Sequence, residues 1–224
     1  MYELNDRAKK FRDRREAGIL LAKKLTAYAN DPNVIVLGLP RGGIPVAYEI
    51  AQALGVPLDS YEVRKIGMPG HEELAMGAIG SGGIYYLNAE VIDALRISRE
   101  QIESVVTRER HELERREKLY RDSRPRLKLA GKTVILVDDG VATGSSMHVA
   151  VASLRLHDPA RIVVAIPVAP IETLEELRVE VDEVVSWSTP EPFFAVGAAY
   201  DEFGQVSDNE VRALLDRAYG QKHK

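Results

Sequence analysis

Val134-Ile135-Leu136-Val137-Asp138-Asp139-Gly140-Val141-Ala142-Thr143-Gly144-Ser145-Ser146 decides the fold. With Thr133 just before it, the run Thr133–Val137 has four apolar residues in five, three of them Val or Ile. That is the composition of a parallel strand buried on both faces. The strand ends in two carboxylates. A short loop of Gly, Thr and Ser then leads into a helix predicted over Ser145–His157.

The same alternation extends in both directions. Upstream, Val34–Leu39 is a continuous apolar run, Gly42-Gly43 opens a helix over Ile44–Leu54, and Leu58–Val63 reads as a second strand. Downstream, Arg161–Val168 and Glu183–Trp187 read as strands on either side of a short helix, Glu172–Val179. Ser207 followed by Glu210 forms a capping box for a final helix over 207–219. Charged helices are predicted over 7–29 and 98–122. The apolar positions Val106, Leu113 and Tyr120 recur only once in seven, so the second helix is predicted to be mostly solvated. Residues 66–83 hold six glycines and one proline and read as a long flexible loop, followed by a short strand at Ile84–Leu87. Strands alternating with helices predict an α/β fold with a mainly parallel central sheet flanked by helices. Ligands then belong at the carboxyl ends of the strands.

Composition sets the outer limits. The chain has 224 residues, 45% hydrophobic, enough for one domain with a sizeable core. A net charge of −4 argues against a general nucleic-acid binder and against a polybasic membrane-surface protein. There is no cysteine, which excludes disulfides, thiolate catalysis and cysteine-ligated metals. No stretch approaches the roughly 20 apolar residues of a membrane helix, and the charged N-terminus does not read as a signal peptide. A cytoplasmic protein is expected.

The chemistry concentrates after the Thr133–Val137 strand. A helix N-terminus presents free N–H groups and a partial positive charge, which suits a phosphate. Thr143, Ser145 and Ser146 add hydroxyl donors, and Gly144 allows close backbone approach. Adjacent carboxylates can accept hydrogen bonds from vicinal sugar hydroxyls. Together these groups suit a sugar phosphate lying across the strand end. A Walker A loop is excluded because Ser145 stands where its Lys would be, and G-x-G-x-x-G is absent. Metalloprotease H-x-x-x-H and nucleophile-elbow G-x-S-x-G patterns are absent as well. After the first strand, Leu39-Pro40-Arg41-Gly42-Gly43 places a cation and exposed N–H groups beside a helix start, an arrangement suited to a diphosphate.

The composite resembles the 5-phosphoribosyl-1-pyrophosphate (PRPP) signature of the type I phosphoribosyltransferases. That resemblance implies that Asp138 and Asp139 hold the ribose 2′- and 3′-hydroxyls. It implies that Ala142, Thr143, Gly144, Ser145 and Ser146 hold the 5′-phosphate. Pro40, Arg41, Gly42 and Gly43 resemble the family's pyrophosphate loop, in which a non-proline cis peptide is common; here it would join Pro40 to Arg41. Arg64 and Lys65, at the end of the second strand, resemble its basic pyrophosphate contact. The glycine-rich stretch that follows matches the place of its flexible catalytic loop, where His71 and Glu72 (with Glu73) are candidate acid/base groups.

Pro192–Glu202 is similar to the hood segment of the 6-oxopurine enzymes, with the hood placed at about 168–205. By that match Phe194 stacks on the base, the Ala195 backbone meets its edge, and Asp201 joins Asp138 and Asp139 around Mg²⁺. Trp187 is a candidate wall of the same pocket. Two features depart from the 6-oxopurine pattern. Ala142 stands where those enzymes carry a general-base Asp, and Pro167-Val168-Ala169-Pro170 lacks their base-reading Lys. The function expected is Mg²⁺-dependent transfer of 5-phosphoribosyl from PRPP to a nitrogenous base, by a homodimer of single-domain chains. The alternative is a non-enzymatic PRPP- or nucleotide-binding regulator.

Overall fold

The computed structural model describes residues 10–121, 124–125 and 128–222. At its centre is a five-stranded parallel sheet: β1 (Val34–Gly38), β2 (Leu58–Ser60), β6 (Thr133–Val137), β7 (Arg161–Val168) and β8 (Glu183–Ser188). Their spatial order is β2-β1-β6-β7-β8. Successive side chains point to opposite faces, so each strand feeds two cores. Val34, Val36, Ile135, Val137, Val163 and Ala165 pack under α1 (Arg14–Ala22) and α2 (Gly43–Leu54). Ile35, Leu37, Val134, Leu136, Ile162 and Val164 pack under α5 (Ser145–Arg155) and α6 (Ile171–Glu180). Burial of each such side chain contributes about 1.5–3 kcal/mol against the entropy of ordering it. Leu136→Ala, at full burial, would cost about 2–5 kcal/mol.

The order of the strands positions the site. From β1 the chain moves outward to β2, then returns across the sheet to β6 and moves outward the other way. The loops after β1 and β6 therefore diverge from a common crevice, the switch point where open α/β sheets bind ligands.

Residues 66–83 are not a loop. β3 (Val63–Met68) and β4 (His71–Gly80) form an antiparallel hairpin, joined on its far side by β5 (Tyr85–Leu87). Pro69 and Gly70 make the turn, Gly70 taking φ +79°, a left-handed conformation that favours glycine. Glycines at 67, 77 and 80 serve packing: a Cβ on Gly77 would lie 2.2 Å from the Tyr86 carbonyl oxygen, and one on Gly80 1.8 Å from Ser153 Oγ.

The hairpin has its own core. Ile66, Met68, Met76 and Ile79 pack against Val105, Val106 and Leu113 of α4 (Arg99–Arg121). The narrow apolar stripe of α4 is thus seated on the hairpin at Val106 and Leu113, while Tyr120 packs with Ile44, Val211 and Leu215, and most of the other positions face solvent. A short helix, α3 (Ala89–Leu95), precedes it, capped by Asn88 Oδ1 accepting from Val91 N at 3.2 Å. The expected 7–29 helix runs only over α1 and then a single 3₁₀ turn at Thr26–Tyr28, and residues 7–9 lie outside the described residues. α7 (Asp208–Lys222) begins as expected, with Ser207 Oγ accepting from Glu210 N. The hood also starts later than about 168: α6 and β8 belong to the main fold, β8 pairing with β7 from Glu183 to Ser188. No helix among the described residues is long and apolar enough to cross a membrane.

Candidate active site

Two loops meet at the switch point. Leu39 N donates to the Val137 carbonyl at 2.9 Å, extending the β1–β6 pairing into both loops. The bond between Pro40 and Arg41 is cis. Gly42 and Gly43 then pass so close to the carboxylates that no side chain fits. A Cβ on Gly42 would lie 2.0 Å from Asp139 Oδ2, and one on Gly43 would lie 2.6 Å from the Val137 oxygen. The structure thus brings Pro40, Arg41, Gly42 and Gly43 together with Asp138 and Asp139.

The two carboxylates are held differently. Asp138 Oδ1 accepts from the Asp139 backbone N–H at 2.8 Å. Asp139 Oδ2 accepts from Arg14 Nε of α1 at 2.7 Å, with both side chains about seven-eighths buried (13% and 14% exposed). Arg14 is fixed in turn by donating to the Gly204 carbonyl at 2.8 Å and by lying 3.9 Å over the Phe203 ring. Phe203 stacks on Tyr200, whose hydroxyl donates to the Asp139 carbonyl oxygen. Burial raises the proton affinity of both carboxyls. The charge on Asp139 raises that of Asp138 further, and Arg14 opposes the shift in both. No motif in the sequence points to Arg14 or Phe203, and Tyr200 falls within the hood-like segment without a role there, since each reaches the acidic pair through a contact distant in the chain.

After β6 the loop is pinned from below. Val141 N donates to the Val168 carbonyl at 3.0 Å, and Thr173 Oγ1 donates to the Ala142 carbonyl at 2.7 Å. Gly144, at φ +74°, occupies the N-cap of α5 and supplies no side-chain cap. Gly42, the N-cap of α2, supplies none either. The first N–H groups of α5 are therefore available to an anion, whereas at α2 Gly43 N donates to the Leu39 carbonyl, Ile44 N donates to the Arg41 carbonyl and Pro45 has no N–H. Thr143 Oγ1 and Ser145 Oγ lie 3.2 Å apart on the exposed rim, with Ser146 beside them.

Other candidates lie on other elements. Arg64 is committed to α4, its Nε 2.6 Å from Glu109 Oε2, a carboxylate otherwise buried. Lys65, the next residue on β3, is exposed. His71 and Glu72 start β4 beside the hairpin turn, both exposed, and Glu72 pairs with Arg108 of α4 at 3.4 Å. They sit on a paired strand, not on a loop. Phe194 is 82% exposed and, with Ala195, borders a mostly apolar cavity of about 140 Å³ whose other walls include Phe11, Pro192 and Ala199. Trp187 is not among those walls; it lies under Lys24 Nζ at 5.2 Å.

Asp201 is exposed, its backbone N–H bonded to the Phe11 carbonyl. Among the described residues no group of three or more His, Asp or Glu side chains is placed to hold a metal ion. Mg²⁺ is ordinarily held by one or two carboxylates together with substrate phosphates. Asp138 and Asp139 fit that pattern, a cation that arrives with its substrate, and do not form a cage of their own.

A doubly wound parallel sheet with an acidic pair and an uncapped helix start at its switch point is an arrangement suited to a sugar phosphate. The family model "Phosphoribosyl transferase domain" matches residues 13–202, and the chain belongs to that family. It is 43% identical over 211 residues to the Mycobacterium tuberculosis H37Rv protein named "Putative phosphoribosyl transferase Rv0571c". That alignment covers 94% of this chain and 47% of the relative, so the chain spans about half the length of the curated relatives it matches. The crystal structure of TT1426 from Thermus thermophilus superposes with a TM-score of 0.82 at 46% identity, covering 92% of this chain and 97% of that one.

Proposed function

We propose that this chain transfers 5-phosphoribosyl from PRPP to a nitrogenous base and releases pyrophosphate, with Mg²⁺ bound alongside the substrate. The observation that carries this reading is the packing of Gly42 and Gly43 directly against Asp138 and Asp139. It sets a phosphate-compatible loop and a hydroxyl-compatible acid pair within one substrate's reach. Asp138 and Asp139 orient the ribose hydroxyls, and the α5 N-terminus from Ala142 to Ser146 holds the 5′-phosphate. The backbone N–H groups of Arg41 and Gly42, with the Arg41 side chain, stabilise the charge that builds on the departing pyrophosphate. Bound Mg²⁺ would add to that charge stabilisation, with Asp138, Asp139 and Asp201 as its candidate carboxylates. Phe194 and the Ala195 backbone receive the base. Positioning supplies most of the rate, since no side chain here is a strong nucleophile.

Turnover of PRPP with Mg²⁺ and a panel of bases, read as pyrophosphate release, tests the reading. Asp138→Asn with Asp139→Asn should abolish PRPP binding and leave the melting curve cooperative. Retained binding would refute the ribose assignment. Ala142, in place of a general-base carboxylate, favours one second reading, a regulator that binds PRPP or a nucleotide without turnover. PRPP binding with no pyrophosphate from any base would select it. A homodimer and a cytoplasmic location belong to the same proposal, the first checked by sedimentation.

A further inference from the structure

Against the pyrophosphate-loop candidate, at Pro40 and Arg41, lies a polar cavity of about 290 Å³. Its walls include Arg41, Glu62, Arg115, Arg116, Tyr120 and Asp208. Three arginines therefore line one small space. Arg115 and Arg116 share Glu112 on the exposed side of α4, and Arg41 lies 3.8 Å from Asp208, which already accepts from Tyr120 at 2.6 Å.

Glu62 is the anomaly in this cavity. It is 4% exposed, and its Oε1 has no hydrogen-bond partner among the described residues. Its backbone is pinned on both sides to Ser81, N–H to Ser81 Oγ at 2.9 Å and carbonyl to Ser81 N at 2.8 Å. A buried polar atom without a partner costs about 1–3 kcal/mol, so its persistence calls for a use. As a carboxylate, Glu62 would repel an anion drawn in by the arginines. As a neutral acid it becomes a hydrogen-bond donor and complements them.

We propose that this cavity binds a diphosphate, as free pyrophosphate or as the diphosphate end of the substrate, with Glu62 donating to it as the neutral acid. The proposal rests on the phosphoribosyl-transfer reading for the identity of the ligand. It adds an acid and two α4 arginines to that site, none of them part of the motifs in the sequence. Glu62 is suited to the role: burial pushes its carboxyl up to about 7. Arg116, Arg121 and Arg64 favour the charged form and Glu117 opposes it. An incoming diphosphate adds negative charge to the same side and favours the neutral acid further.

The test is titration of the protein with inorganic pyrophosphate and Mg²⁺ at pH 6.5 and 8.0, comparing wild type with Glu62→Gln. The amide donates at every pH, so the ratio of the two affinities cancels the ionisation of pyrophosphate itself. Wild-type affinity relative to the variant should fall about eightfold across that interval, the loss of neutral form for an acid titrating near 7. Arg115→Ala with Arg116→Ala, on exposed side chains, should weaken binding at least tenfold. A pH-independent ratio, unchanged affinity in the double arginine variant, or no pyrophosphate binding by wild type would each overturn the proposal. A parallel PRPP titration separates the two readings. PRPP binding that depends on Asp138 and Asp139 alongside a flat ratio sinks this inference alone. Absence of PRPP binding sinks the transfer reading.

Discussion

Arg14 reaches across 125 residues of chain to place Nε 2.7 Å from Asp139 Oδ2, and so ties the first helix to the acidic pair. The guanidinium uses Nε for the carboxylate, Nη1 for the Gly204 carbonyl and its face for Phe203. An ammonium cannot meet three partners in that planar arrangement. Arg14→Gln leaves Asp139 buried without its counter-ion, at a cost of about 2 kcal/mol, between the exposed and fully buried limits. Urea unfolding should show that loss, and Arg14→Lys should recover less than half of it. PRPP affinity should fall at least tenfold in Arg14→Gln because the unpaired carboxyl takes up a proton more readily. Tighter PRPP binding in that variant would show that Arg14 blocks the site instead of holding it.

Gly42 and Gly43 are adjacent but fail differently. A methyl group on Gly43 would meet backbone, 2.6 Å from the Val137 oxygen and 3.0 Å from Asp138 Cα. Neither can move without disturbing β6, so Gly43→Ala should cost about 1–3 kcal/mol of stability. A methyl group on Gly42 would meet the Asp139 carboxylate itself. That side chain can swing away, at the expense of its bond to Arg14. Gly42→Ala should therefore lose no more than the about 2 kcal/mol of Arg14→Gln, through that ion pair, and lose most of its PRPP affinity. The comparison needs only thermal melts and one binding titration, and unchanged PRPP affinity in Gly42→Ala would contradict it.

The difference between what was legible in the sequence and what was not follows burial on two faces against burial by distant partners. β1, β6 and β7 are covered on both sides, so each run is dominated by apolar residues and stands out without alignment. The acid pair and the uncapped α5 start lie next to one such run, which made the site legible too. The β3–β4 hairpin was hidden because its glycines read as flexibility. At 67, 77 and 80 they are small because Glu72, Tyr86 and Ser153 press against them. Pro69-Gly70 was the available signal, a turn pair between segments that carry apolar residues. The α4 stripe looked too narrow to bury because its partner was that unrecognised hairpin. Arg14 and Glu62 could not have been found in advance. One is an arginine among many on a charged helix, and the other is distinguished only by the cavity around it.

Phe194 and Trp187 separate a base platform from a surface aromatic. Phe194 is 82% exposed at the rim of the apolar cavity, so Phe194→Ala should change stability by no more than about 0.5 kcal/mol. If a base stacks there, the same change removes about 1–3 kcal/mol of binding, roughly five- to 150-fold in KM for the base, with kcat little altered. Trp187→Ala loses its contact with Lys24 and should leave KM unchanged. Steady-state kinetics on both variants would decide, and a KM effect from Trp187 alone would move the base site to the other side of β8.

Glu62 makes stability depend on pH in a direction opposite to most carboxylates. Its folded-state carboxyl titrates at about 7, above the ordinary value of 4.5. Between those values the unfolded chain releases the proton while the folded chain keeps it. The folded state then binds more protons, and stability falls as pH rises through that window. Below about pH 4.5 both states are protonated and the penalty vanishes; above about 7 both are ionised and it is constant. A shift of this size corresponds to on the order of 3 kcal/mol at full effect. Glu62→Gln carries no such dependence. Its stability relative to wild type should therefore rise steadily from pH 4.5 to 7 and level off above, as measured by urea unfolding at a series of pH values. A difference independent of pH would mean that Glu62 ionises in the folded protein as freely as it does in the unfolded chain.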